Sequence, residues 1–187
     1  MSQSTAESSN LKMTMPLISG NFMLPDEQVY MSLHSSGLVE NLRDFEINML
    51  AKLTTAQYLE AKNPDSVLIE SSLQDSLMIL VKGDIKINAM VAHEPVCLQL
   101  RAPGDLARVV SFVGGSDMKI YASIKVRKDS VVLLLQRSKL ETLLTSYPTI
   151  VYCVMRNLVR CVHGIARRRN VENEEMKNYI YHIRGRY

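Results

Sequence analysis

Asp75-Ser76-Leu77-Met78-Ile79-Leu80-Val81-Lys82-Gly83-Asp84-Ile85-Lys86-Ile87 is the stretch that decides the fold. Two apolar runs flank Lys82-Gly83-Asp84, and that tripeptide reads as a hairpin connection in which glycine can take a positive φ. The same grammar extends on both sides. Val67 to Ile69, Leu77 to Val81, Ile85 to Val91, Val96 to Leu100, Ile120 to Val126 and Val131 to Leu135 are short runs rich in β-branched residues, separated by turn signals. Strands at this spacing with no helices between them predict an antiparallel roll or barrel.

Outside this region the period changes. Residues 1–24 are rich in Ser, Thr, Met and Asn without a usable repeat and read as a flexible arm. From Asp26 to Lys62 a helical pattern recurs through Leu38, Leu42, Phe45, Met49, Leu50 and Leu53, predicting two or three short helices on one end of the roll. Asn63-Pro64-Asp65-Ser66 ends it, because proline disfavours helix in the residue before it. After Tyr147-Pro148 the 3.6 period returns, and proline suits the first turn of a helix because its missing amide hydrogen has no intrahelical partner there. This long helix carries two apolar stripes, Ile150/Val154/Leu158/Cys161/Ile165 and Val151/Met155/Val159/Val162/Ala166. One stripe suffices for docking on the roll. The second predicts a homodimer seam along the helix, the competing reading being a helix covered on both sides by its own domain.

The whole chain has 187 residues, 47% of them hydrophobic, which allows one well-buried core and is too few for two ordinary domains. The expected division is an arm over 1–24, a domain over 25–166 that includes the long helix from about 148, and a basic extension over 167–187. Three cysteines, Cys97, Cys153 and Cys161, make neither a full disulfide set nor the thiolates of an iron–sulfur cluster, and they read as reduced thiols of a cytoplasmic protein. No signal-type or membrane-spanning apolar stretch is present in the sequence. Net charge is +3, distributed unevenly: from Arg156 onward eight basic residues face three acidic ones, leaving the rest of the chain at −2. Beyond Arg169, Met176, Tyr179, Ile180, Ile183 and Tyr187 fall at near-helical spacing and are candidates for binding a protein partner.

The quoted stretch resembles the D-S-L-Y-I-I-L-x-G-x-V-K-V signature of the cyclic-nucleotide-binding domain family, which includes the catabolite activator proteins and the protein kinase A regulatory subunits. Two further segments agree in order. Leu100-Arg101-Ala102-Pro103-Gly104-Asp105 is similar to the family's L-x-P-G-D turn, and Tyr121 to Val126, through Asp129-Ser130, to Leu140-Glu141-Thr142-Leu143-Leu144 follows its S-A-T-V-x-A…D-S…L-x-x-L-L run. The resemblance covers roughly residues 33–166. It implies a mainly β, α+β fold: an antiparallel β-roll, or jelly roll, with N-terminal helices and a long C-terminal helix.

The resemblance also implies where a ligand would sit, and there the residues depart from the family. Its phosphate-binding cassette places a glutamate on the ribose and an arginine on the cyclic phosphate. Those positions fall on Val109, preceded by Arg108, and on Ile120, preceded by Lys119. An apolar side chain in place of the arginine removes a bidentate, charge-assisted contact to a phosphate that must still be desolvated. A lysine does not reproduce that fork. The altered pocket comprises Arg108, Val109, Lys119, Ile120, Ala122 and Ser123, and binding of cyclic AMP or cyclic GMP in the family's manner is not expected.

Catalytic chemistry has little to work with. His34, His93, His163 and His182 are scattered, no H-E-x-x-H, Walker loop or G-x-S-x-G elbow occurs, and His93-Glu94 alone is too little for a cupin metal site. The reading is a non-enzymatic regulatory or adaptor protein with neither cofactor nor metal, dimeric through Ile150, Val151, Val154, Met155, Leu158, Cys161, Val162 and Ile165, and bound to another protein. Two alternatives stay open: a sensor of a cyclic nucleotide or other anionic ligand using Arg108, Lys119 and Ser123, and a nucleic-acid accessory protein using the basic C-terminus. About 20 residues follow the long helix, against roughly 60 to 70 in a winged helix-turn-helix, so direct operator binding is not expected. Membrane association is not expected either.

Overall fold

The computed structural model describes residues 22–61, 67–69, 75–91, 94–114, 122–164 and 167. Helix α1 (Asp26–His34), a 3-10 turn (Gly37–Val39) and α2 (Asp44–Leu53) open the chain, followed by β1 (Thr54–Leu59), β2 (Val67–Ile69), β3 (Ser76–Val91), β4 (Glu94–Leu100) and β5 (Leu106–Ala107). Then come α3 (Val109–Gly114), β6 (Ala122–Gln136), α4 (Arg137–Glu141) and the long helix α5 over 148–164. All strand pairs are antiparallel, in the order β1-β6-β3-β4, with β2 added to β6 and β5 to β3. The sheet curls into a roll without closing as a barrel, with the helices on one side, as the strand grammar predicts.

Two long strands organise it. Along β3 and β6 successive side chains alternate between two cores. Leu77, Ile79 and Val81, with Val131, Leu133 and Leu135, join a cluster with α1, α2, α3 and α5, whereas Met78, Leu80, Val132 and Leu134 join the roll interior with Ile85, Ile87, Leu100 and Ile124. Both faces of the central sheet are therefore buried, which is why the sequence there is unbroken apolar residues. Each fully buried leucine contributes about 1.5–3 kcal/mol relative to exposure.

The predicted hairpin at Lys82-Gly83-Asp84 is not one. β3 runs straight through it with register shifts from Leu80 to Ile85, and β6 likewise continues from Ala122 to Gln136, so four predicted strands are two bent ones. Gly83 does take a positive φ, +121°, but to make a bulge. At this bend Ser130 is fully buried; its Oγ accepts the Asp84 N–H at 3.2 Å and donates to the Lys128 carbonyl. Asp129 accepts the Tyr58 hydroxyl at 2.8 Å and the Ala61 N–H at 2.9 Å, tying β6 to the end of β1. Those two bonds, the backbone one foremost, hold the Asp129 carboxyl below its ordinary range.

A second correction concerns Thr54 to Leu59, which the helical pattern includes and the structure pairs with β6 from Leu135 to Ser130. Adjacent β-branched threonines favour the strand, and the helix stops at Leu53. Within the helices Leu38, Leu50 and Ile47 are buried, while Phe45 points out. Phe22 and Leu24, assigned to the arm, lie against the domain: the Phe22 N–H donates to the Ala56 carbonyl at 3.2 Å and Leu24 packs on the helical core.

Helix α5 starts at the expected proline. Ile150, Val154 and Leu158 are buried, as the first stripe requires, but Val151 is buried too, and Met155, Cys161 and Val162 pack on the same core. Of the second stripe, then, Val151 is buried, Met155 and Val162 are half-buried against this core, Val159 is exposed, and Ala166 lies outside the described residues. Asn157 fixes that placement, its Nδ2 donating to the carbonyls of Leu38 at 3.0 Å and Glu40 at 2.8 Å. Ile165 lies outside the described residues, as do Met176, Tyr179, Ile180, Ile183 and Tyr187.

Candidate functional site

The turn that opens the cassette is built from backbone. Gly104, at φ +89°, donates its N–H to the Leu80 carbonyl at 2.8 Å, and the Leu80 N–H donates back to the Asp105 carbonyl at 2.9 Å. The Asp105 carboxylate accepts the N–H groups of Arg101 and Ala102, each at 2.8 Å. A Cβ at Gly104 would stand 2.7 Å from the Ser35 carbonyl carbon, so glycine lets the turn seat on the end of α1. Leu106 and Ala107 then pair with Ile79 and Met78.

At Arg108 the chain swings into α3 through φ +66°, a left-handed conformation that costs a non-glycine residue about 1–2 kcal/mol. Comparing two variants isolates that cost. Arg108→Gly and Arg108→Ala both remove the guanidinium and its contacts, so the glycine variant is expected to be the more stable by about 1 kcal/mol in urea unfolding. Equal stability would contradict the backbone geometry.

The short helix α3, which periodicity did not single out, is apolar on both sides: Val109 and Phe112 are buried in the helical core while Val110 and Val113 are exposed. Their i, i+3 spacing was the available signal, masked by its brevity. Val109, at the ribose-glutamate position of the resemblance, is therefore turned away from the roll interior. The other candidates lie on different elements. Arg108 is half-buried at the turn, Ala122 packs on the roll interior, and Ser123 lies on the opposite face of β6, its Oγ 3.5 Å from the Asn88 carbonyl. Lys119 and Ile120 lie outside the described residues.

The roll-interior cluster is wholly aliphatic apart from the Met78 thioether among the described residues. A separate cleft of about 320 Å³ opens between Phe22–Leu24, α2 and β1, on the helical side of the molecule. No group of His, Cys, Asp and Glu among the described residues is arranged to hold a metal ion, and no described helix is long and apolar enough to cross a membrane. Cys97 is exposed, Cys153 buried and Cys161 half-buried, all as free thiols.

No family model and no curated protein sequence matches the chain. Solved structures do. A cyclic nucleotide-binding domain from Methylobacillus flagellatus superposes with a TM-score of 0.61 at 16% identity, covering 76% of this chain and 79% of that one. The catabolite activator protein of Thermus thermophilus gives 0.57 at 19%, with 76% of this chain matched to 63% of that protein, less than two thirds of its length. The N-terminal domain of a transcriptional regulator from Streptomyces coelicolor A3(2) gives 0.55 at 18%, covering 72% and 94%. The fold is that of cyclic-nucleotide-binding domains.

Proposed function

We propose that this chain is a non-enzymatic regulatory or adaptor protein whose cyclic-nucleotide-binding-type roll does not bind cyclic AMP or cyclic GMP in the manner of that family, and that it acts through protein contacts, beginning with a second copy of itself. The observation that carries this reading is Val109. It occupies the cassette position of the ribose-binding glutamate and is 5% exposed in the helical core, where it stabilises the fold and presents nothing to a ligand.

The dimer seam is narrower than the two stripes imply. Tyr152 is 64% and Val159 45% exposed, and with the half-buried Met155 and Val162 they repeat at three- and four-residue intervals, the spacing of a two-helix seam. Arg156 lies over the Tyr152 ring, 5.7 Å from its centroid, and holds the aromatic side chain in place. Val154 and Leu158 are buried in the chain's own core, so a charge there tests folding rather than association.

Light scattering at micromolar concentration is expected to show twice the 21.1 kDa chain mass, and Tyr152→Glu with Val159→Glu to give the single-chain mass with a circular dichroism spectrum like that of the wild type. A monomeric wild type would overturn the dimer.

A further inference from the structure

The outer face of the roll carries an arrangement of charge that the fold does not require. Ile85, Ile87, Ile124 and Val126 point into the roll, so the residues between them, Lys86 and Lys125, point out. The strand register sets these two lysines directly opposite one another, where like charges destabilise a sheet. Arg127 and Lys128 follow on β6, both exposed. Among the described residues none of these four cations makes an ion pair. The two nearest carboxylates in the register are engaged elsewhere: Asp84 accepts from Gln99 at 3.1 Å and faces the Arg101 Nε at 3.4 Å, and Asp129 holds Tyr58 and Ala61.

We infer that this face docks an acidic protein segment, an extended stretch with carboxylates on alternate residues. In an extended chain alternate side chains recur every ~6.5–7 Å, so one carboxylate can meet Lys86 and Lys125, ~5 Å apart across β3 and β6, while the next reaches toward Arg127 and Lys128, where β6 bulges opposite Asp84. Carboxylates on such a segment fall in step with the cations and relieve the repulsion between the paired lysines. Nucleic acid matches this face less well. The outward neighbours on β3, β4 and β6, Asn88, Met90, Cys97, Gln99 and Ser123, include no aromatic ring on which a base could stack, and a sheet face offers no helix to enter a groove. The same positions lack the tryptophan and tyrosine anchors of a membrane-seated surface.

The test titrates the full chain into a dye-labelled ten-residue peptide of alternating glutamate and serine, beside a single-stranded oligonucleotide of equal charge and vesicles containing phosphatidylserine. The peptide is expected to bind and to weaken with added salt. Lys86→Gln with Lys125→Gln should lower its affinity about tenfold while leaving the melting temperature unchanged or raised, because a like-charge pair has been removed. Lys52→Gln with Lys139→Gln, an equal loss of charge away from this face, should bind like wild type. The inference is overturned by a peptide that does not bind, by equal losses in the two double variants, or by an oligonucleotide or vesicle that binds more tightly than the peptide through Lys86 and Lys125.

Discussion

Gly83→Ala is expected to lower stability by about 3–5 kcal/mol, the sum of a strained positive φ and a forced backbone shift. The new Cβ would fall 2.6 Å from the Ser130 Cα, a main-chain atom that no rotamer change can move aside. Ser130 is itself fixed, buried between the Asp84 N–H and the Lys128 carbonyl. For a chain of this size the loss is a fall in melting temperature of roughly 10 °C or more. Adding Ser130→Gly should restore only part of it, because the φ of +121° remains. Gly37→Ala is the control, with nothing within 4 Å of its added Cβ, and should change stability by no more than about 0.5 kcal/mol. If the two glycine variants melt alike, Gly83 and Ser130 do not approach at this bend as described.

Phe112→Ala should cost about 3–5 kcal/mol, because it empties a fully buried site where α3 meets the helices. Val113→Ala, one residue on and exposed, should cost less than about 0.5 kcal/mol. The contrast has a functional side. Phe112 and Val109 together anchor the cassette helix by its apolar face, so the segment that would cradle a phosphate in the resembling family is held here as part of the core. A mild effect at Phe112, measured by denaturant unfolding, would mean that α3 is loosely attached.

What was legible in the sequence follows from how local each determinant is. Leu77 to Val81 and Val131 to Leu135 are strands by composition alone, and Pro148 starts its helix by its own chemistry. Gly83 is different: a glycine at positive φ serves a hairpin or a bulge equally well, and Ser130 and Asp129, far away in sequence, decide between them. Thr54 to Leu59 continue an apolar helical period and become a strand because β6 has an edge to fill. Helix α5 shows two apolar stripes, yet how much of the second stays uncovered depends on Asn157 donating to the carbonyls of Leu38 and Glu40 and tying the helix to the N-terminal segment. At the candidate site the valine at the position where the resemblance places the ribose glutamate was visible, whereas the direction Val109 faces was not, because it follows the left-handed turn at Arg108.

Thermal melting of the full chain with cyclic AMP or cyclic GMP tests most directly the proposal that this roll does not bind cyclic nucleotides in the manner of the family it resembles. A ligand present at 100 times its dissociation constant adds about 2.7 kcal/mol, which for a chain of this length is a rise of roughly 5–10 °C. With Val109 buried in the helical core and Ile120 where the resemblance places the phosphate arginine, the melting temperature is expected to stay flat for both nucleotides up to about 1 mM. A rise of several degrees that saturates with nucleotide concentration would contradict it.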